Sequence, residues 1–358
     1  MQSFRAEECE RAARRGFEFL YRFALRPRHL AEWGSDFLNS FDFISQSAAN
    51  LVLRRWARAA GNELARRWRR LHTSIPKDAD AETVYDLLYG DMYADRLGER
   101  DPVLKKRLRE AARRFEARDF LSFDPAAEPP PRDLPGACPC GLRNERGRKT
   151  CRGCRRRLRV QSRYGLWYVA LIRTYMAARG RFAVGARFAD VLRWLPSMRP
   201  YPSNKPDDPD FYDAVYAVTH VVYTLNDFDL YRLRPAWLPS EFAFLKANLK
   251  EAIGRDDPEM AGEFSDTLKC FGLGPRSPLV REATEFLLSR QNADGSWGDT
   301  RTDNVYCNYH PTLTAAAGLM GIRWRGHGLA FPELKPLLLR LAKGASADGM
   351  GPRRRQRT

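Results

Sequence analysis

No apolar run in this chain approaches the roughly 20 residues that a membrane-spanning helix needs, so a bundle of such helices is excluded. The first residues, Met1-Gln2-Ser3-Phe4-Arg5-Ala6-Glu7-Glu8, are charged and contain no signal-peptide core, so a cytoplasmic protein is expected. Outside one short cysteine-rich segment there is no alternation of apolar and polar residues, the mark of half-buried strands. A sheet-built fold is therefore not expected. Histidine is scarce, at five residues in 358, so imidazole chemistry has few places to reside. Acid is in deficit: Lys and Arg number 61 against 44 Asp and Glu, a formal charge of +17. The excess is local, because residues 138–165 hold ten basic residues and one Glu, which is +9 of that total. Such a distribution argues against a whole-protein nucleic-acid coat and admits a local anion-binding module.

What is present is helical periodicity in a chain long enough to bury a large core. Residues 1–122 read as the N-terminal helical part. Phe17, Leu20, Tyr21 and Ala24 share one helix face, and Leu51, Leu53, Trp56, Ala60, Leu64 and Trp68 approximate another. The arginines interspersed at 54–70 read as a solvated face. Asp80 or Asp78 is expected to cap a helix through Tyr93, and Asp101-Pro102 to open another through Phe120. Five prolines make 123–137 an extended linker. From 160 to 345 the pattern predicts helices near 160–181, 186–195, 209–227, 239–254, 257–271, 277–291, 310–320 and 332–344, separated by Pro and Gly signals. The basic tail, 346–358, is expected to be disordered.

Between linker and C-terminal half lies a four-cysteine module, 138–159. Cys138-Pro139-Cys140-Gly141 and Cys151-Arg152-Gly153-Cys154 pair a C-x-C with a C-x2-C. Four thiolates so spaced wrap tetrahedrally around one Zn²⁺ and leave no open position, so the zinc is structural. Arg143, Arg146, Arg148, Lys149, Arg152, Arg155, Arg156 and Arg157 would offset the charge of a four-thiolate site. The module is either a rigid staple or a grip on nucleic acid or another acidic partner. The absence of aromatic residues among the arginines favours the staple.

The other local signature is Gln291-Asn292-Ala293-Asp294-Gly295-Ser296-Trp297, between two helical runs. Asp294-Gly295 supplies a tight turn, Trp297 an apolar plate with one N–H, and Gln291 a reach to helix-end backbone groups. With Ala283, Phe286 and Leu287 the segment resembles the QW repeat of terpenoid cyclases, Ala283 standing where that repeat usually has Gly. The resemblance implies an all-α fold, an α/α toroid of stacked inner and outer helix pairs, carrying the zinc-ribbon-like insertion. Protein prenyltransferase β subunits and lanthipeptide cyclases share that architecture.

If 277–291 is an outer helix, alternation makes 209–227, 257–271 and 310–320 inner. Those three carry His220, Glu263, Asp266 and His310, with Asp227 two turns beyond His220. Two histidines and a carboxylate facing one cavity suit a catalytic Fe(II) or Zn²⁺ with open positions, and each histidine taken alone suits ordinary core packing. Cys270, Cys307 and His310 offer a second zinc-type set. Asp227-Phe228-Asp229-Leu230 lacks the last acid of the cyclase D-x-D-D motif, and Asp207-Asp208-Pro209-Asp210 reads as an acidic helix start. Tyr212, Tyr216, Tyr223, Trp167, Tyr168 and Tyr309 are candidates to line a cavity or the core. The expectation is a metal-dependent enzyme on a small organic molecule, oxidative or hydrolytic. The alternatives are a zinc-ribbon binding protein and a terpenoid cyclase or prenyl-transfer enzyme.

Overall fold

The computed structural model describes residues 2–132, 134–135, 138, 140, 142, 144–145, 148–158, 160–202 and 210–347. Asp207 to Pro209, Arg143, Arg146 and the tail from 348 on lie outside the described residues. Among the described residues fourteen α-helices run in chain order: α1 (Gln2–Ala24), α2 (Pro27–Ser47), α3 (Leu51–Leu71), α4 (Ala81–Leu97), α5 (Pro102–Ala112), α6 (Ala117–Leu121), α7 (Arg163–Gly180), α8 (Phe188–Leu192), α9 (Phe211–Leu225), α10 (Pro239–Gly254), α11 (Pro258–Cys270), α12 (Pro278–Ser289), α13 (Val305–Leu319) and α14 (Lys335–Ala347). Two-residue strands, β1 (Leu134–Pro135) and β2 (Val160–Gln161), pair antiparallel and close the base of the cysteine module. Among the described residues no helix is long and apolar enough to cross a membrane.

Side-chain caps explain many of the boundaries. Asp80 accepts from the Thr83 N–H, so it and not Asp78 starts α4. Asp101 takes the N–H groups of Val103 and Leu104, and Asp257 takes that of Met260. Each satisfies first-turn donors that have no partner within the helix. The helix expected from 102 to 120 is broken. Asp119 accepts from the Glu116 N–H and begins a new helix there, which lets Phe115 and Phe120 meet edge to face. α13 begins five residues before His310, because Asn304 caps it and Pro311 is accommodated inside the helix. That extra turn brings Tyr306 alongside His310. Asp210, at the start of α9, makes no capping hydrogen bond. The proline-rich segment is partly docked: Phe123 is buried, and the Pro125 carbonyl accepts from the Trp194 indole.

Helices α2, α4, α7, α9, α11 and α13 each pack against the next in that order. The succession returns to α2 through Tyr309, whose ring lies 4.9 Å from that of Phe37 and whose hydroxyl donates to Asp36 at 2.8 Å. The intervening helices pack behind them: α1 on α13 and α2, α3 on α2 and α4, α10 on α9 and α11, α12 on α11 and α13. α11 and α13 approach closely: a Cβ on Gly262 would come within 2.5 Å of the Thr314 carbonyl oxygen. Only glycine permits that contact, and it sets Glu259 and Glu263 beside His310.

The Gln291–Trp297 corner clamps α1 to α12 and α13. Gln291 Nε2 donates to the Ala12 carbonyl of α1 at 2.8 Å and to the Gly295 carbonyl at 3.0 Å. Trp297 is fully buried, and its indole N–H donates to the Leu287 carbonyl at 2.7 Å. Gly295 has φ +95°, a left-handed conformation, and its α-carbon faces the Arg15 backbone.

Candidate functional site

The six mutually packed helices border a cavity of about 1110 Å³, ample for a small organic molecule. Its exposed lining residues, among them Glu32, Leu71, Ser74, Pro76 and Glu82, belong to α2, the end of α3, the following loop and the start of α4. The mouth is therefore on that side. α10 and α12 contribute no lining residue, whereas α9, α11 and α13 all do, as the phase of the corner predicts. Tyr168, Tyr216, Tyr223 and Tyr309 line the cavity. Trp167 instead is core, donating to the Val191 carbonyl, and Tyr212 is exposed beside Arg255.

His220 is fixed by its own helix. Its Nδ1 donates to the Tyr216 carbonyl at 2.8 Å, which sets the tautomer and leaves Nε2 as a free acceptor. Burial pushes its pKa down to about 4, so the ring is neutral at neutral pH. His310 differs. Its Nδ1 lies 2.9 Å from Glu259 Oε1, off the axis of an aligned hydrogen bond but at ion-pair distance. Burial alone would lower its pKa; the charges of Glu259, Glu263 and Asp36 outweigh that and raise it. Glu259 also accepts from the Tyr216 hydroxyl, and its pKa falls despite burial because of His310. Glu263 accepts from Thr219 at 2.6 Å, and burial lifts its pKa to about 7.

Two acids on the facing helices complete the set. Asp36 of α2 has its pKa raised by burial and holds the Tyr309 hydroxyl. Asp86 of α4 accepts from Ser35 and is lifted by burial to about 6. Arg173, near the mouth, is paired with Glu82 and stacks on Tyr85. Glu259, Asp36 and Asp86 are cavity-facing or cavity-adjacent acids that sequence patterning did not single out. Asp227 is absent from the cavity lining: α9 ends at Leu225, and the chain turns left-handed at 227–229, so Asp227 meets Tyr175 at 2.6 Å and Arg179 at 3.0 Å instead.

Among the described residues only Cys138, Cys140, Cys151 and Cys154 bring three or more metal-ligand atoms within 4.8 Å of one another. His220, His310 and Glu263 share one wall without reaching that spacing. Cys270, buried with its thiol toward the Tyr231 carbonyl, and exposed Cys307 do not join His310 in such a group. In the cysteine cluster the resolved Sγ–Sγ distances are 3.3, 3.4 and 3.6 Å. A tetrahedron with zinc–sulfur arms of about 2.3 Å requires about 3.8 Å, so the cage fits a zinc-sized ion with slight expansion. Backbone N–H groups of Cys154 and Gly153 pull the Cys151 thiol down to about 6, as a thiolate ligand requires. Cys151 and Arg156 bond through the backbone in a knuckle turn, and Arg148, Lys149, Arg152, Arg155, Arg156 and Arg157 are all exposed on it.

No protein-family model matches the chain, and no match is found among curated proteins or solved structures.

Proposed function

We propose that this protein is an enzyme that holds a small organic molecule in the cavity and works on it by proton transfer, with positive charge developing on the ligand. The observation that carries the reading is the make-up of the cavity: among the described lining residues, tyrosine faces stand together with Asp36, Asp86, Glu263 and Asp266, while Arg173 is already paired with Glu82, His310 with Glu259, and His220 is neutral. Aromatic faces and carboxylates both favour cations, and the effect grows in a space removed from water. His220 Nε2 is a proton acceptor pointed at that space, and the His310–Glu259 pair fixes local charge. We read the fold as an α/α toroid; its support is the alternation of cavity-lining helices with helices that pack behind them. A terpenoid cyclase or prenyl-transfer enzyme is one member of this class, supported by the aromatic wall.

The test uses benzyltrimethylammonium and its neutral carbon isostere, neopentylbenzene. Trp33 lines the cavity, so quenching of its fluorescence reports binding. The ammonium ion is expected to bind at least about tenfold tighter, equivalent to about 1.4 kcal/mol. Equal affinities, or tighter binding of the hydrocarbon, would sink the reading.

A second reading has His220, His310 and Glu263 holding Fe(II) or Zn²⁺; their common wall supports it, and small side-chain movements would be needed to close the ligand set. Elemental analysis separates the two. One zinc per chain, lost in Cys151→Ser, is the expected result. A second metal equivalent lost in His220→Ala would establish the metal reading in its place. An acidic partner for the cysteine module, nucleic acid included, is a separate proposal resting on the exposed basic edge of the knuckle.

A further inference from the structure

His220 and His310 each spend one ring nitrogen on the protein and turn the other to the cavity that both line. His220 Nδ1 donates to the Tyr216 carbonyl of its own helix at 2.8 Å, and His310 Nδ1 lies 2.9 Å from Glu259 Oε1. Among the described residues neither Nε2 has a hydrogen-bond partner, and neither is among the atoms sealed away without one. Both are therefore open to the cavity. Buried histidines that serve packing alone have their polar atoms paired.

The rings are held by stacking as well as by bonding. Tyr306 lies flat on His310, with centroids 4.4 Å apart and 18° between the planes. Tyr168 lies 5.2 Å from His220, and Tyr223 meets the same ring edge-on at 5.7 Å. One tyrosine ties the two histidines together. The Tyr216 carbonyl holds His220, and the Tyr216 hydroxyl donates to Glu259 Oε1, the same oxygen that faces His310. Glu259 is not a lining residue of the cavity, so it acts on a ligand only through His310.

The two partners give the rings opposite polarity. A backbone carbonyl only accepts, so His220 keeps its proton on Nδ1 and presents a lone pair at Nε2. A carboxylate at ion-pair distance favours the cationic ring, so His310 presents an N–H at Nε2. Among the described residues these histidines and Glu263 do not close around one ion, and the two nitrogens address a ligand at separate atoms. The N–H calls for an acceptor oxygen, and the lone pair calls for an acidic hydrogen near it. The lining acids Asp36, Asp86, Glu263 and Asp266 disfavour a phosphate or carboxylate on the ligand. A neutral ketone or aldehyde with a hydrogen on the adjacent carbon meets every one of these demands.

We propose that His310 is the general acid and His220 the general base of an enolisation, acting on a neutral carbonyl compound, with Glu259 positioning His310. The inference rests on the proton-transfer reading above and names its two groups and its substrate class. In the step, the C–H bond beside the carbonyl breaks and its proton passes to His220 Nε2. The C–H electron pair becomes a C=C bond, and the C=O π pair takes the proton from His310 Nε2. Where transfer to oxygen runs ahead, the ligand is an oxocarbenium-like cation, the charge that the cavity favours. The step leaves His220 cationic and His310 neutral. Return of a proton from His220 to carbon, and of the enol proton to His310, resets both with no net redox change.

The experiment is solvent hydrogen exchange with 2-tetralone as the probe, using the full chain in D₂O at neutral pH. Proton NMR follows loss of the hydrogens beside the carbonyl. The wild-type protein is expected to accelerate exchange over buffer, and His220→Gln and His310→Gln each to lose about 100-fold or more of that acceleration. Glu259→Gln should lower the rate at saturation and leave 2-tetralone affinity, read by Trp33 quenching, unchanged; a loss of affinity with the rate intact overturns its positioning role. No acceleration by the wild type, or full acceleration in either histidine variant, overturns the assignment. Should the variants fail to fold, nitrogen NMR of the wild-type histidines decides. A proton on Nδ1 alone is expected for His220 and a proton on Nε2 for His310; the reverse at either ring overturns the pair. Exchange absent with ammonium selectivity intact removes this inference alone; exchange present with no ammonium selectivity removes the cation-favouring cavity alone.

Discussion

Trp297→Ala is expected to cost about 3–5 kcal/mol of stability, the range for emptying a buried tryptophan site. Three contacts disappear or weaken together. The indole fills space against Gly16 of α1, where even a Cβ would come within 2.7 Å of it. Its N–H satisfies the Leu287 carbonyl at the end of α12, and the backbone N–H of the same residue donates to Thr312 on α13 at 3.0 Å. The cavity left behind adjoins the seam between the N-terminal helix and the C-terminal half, so α1 should become the first site of proteolytic cleavage. Trp297→Phe separates the parts: it keeps most of the apolar volume and leaves the Leu287 carbonyl unpaired, at about 1–3 kcal/mol. Chemical denaturation of the three proteins measures the series. A loss below about 1 kcal/mol in the alanine variant would mean that the corner is decoration and not a clamp.

That corner was legible because each of its residues acts locally: the turn, the plate and the amide arm need only neighbours in sequence. The caps at Asp80 and Asp101 were legible for the same reason, and α9, α11 and α13, which the corner's phase set inside, supply cavity-lining residues. The acids that face them were not. Asp36 meets Tyr309 across 273 positions, and on α2 it looks like any polar helix residue. Glu259 was hidden by a sufficient local explanation, since an acid in the first turn of a helix is stabilised by the helix dipole whatever else it does. Asp227 was misplaced because helical spacing from His220 assumes that the helix continues, and the left-handed run at 227–229 ends it. Helix periodicity shows which face is buried; it does not show which buried acids meet.

The buried cavity acids should lower stability as pH rises from 6 to 8, the reverse of the usual contribution of ion-paired carboxylates. The sign follows from which state holds the protons. Glu263, lifted by burial to about 7, and Asp86, lifted to about 6, stay protonated in the folded chain at a pH where the unfolded chain has released them. Their cost to folding appears above the unfolded carboxylate range and is complete once pH passes the folded value. Asp36, Asp229 and Asp266 are raised in the same direction. His310, also raised, adds stability that is full below its unfolded value and lost as pH climbs through its folded one. His220 opposes them, but its penalty is confined to pH below the unfolded imidazole value of about 6.5. The Cys151 thiol, pulled down to about 6, opposes them between pH 6 and 8, so the acids are read by difference, and Glu263 alone is worth about 1.4 kcal/mol over that interval. Glu263→Gln should flatten the slope by that amount in melting curves. Binding of an organic cation should show the opposite trend, tightening from pH 6 to 8 as Glu263 and its neighbours ionise and His310 discharges. Calorimetry in buffers of different ionisation enthalpy would then detect proton release on binding. Parallel slopes for stability and cation affinity would show that the acids facing the cavity belong to the scaffold and not to the site.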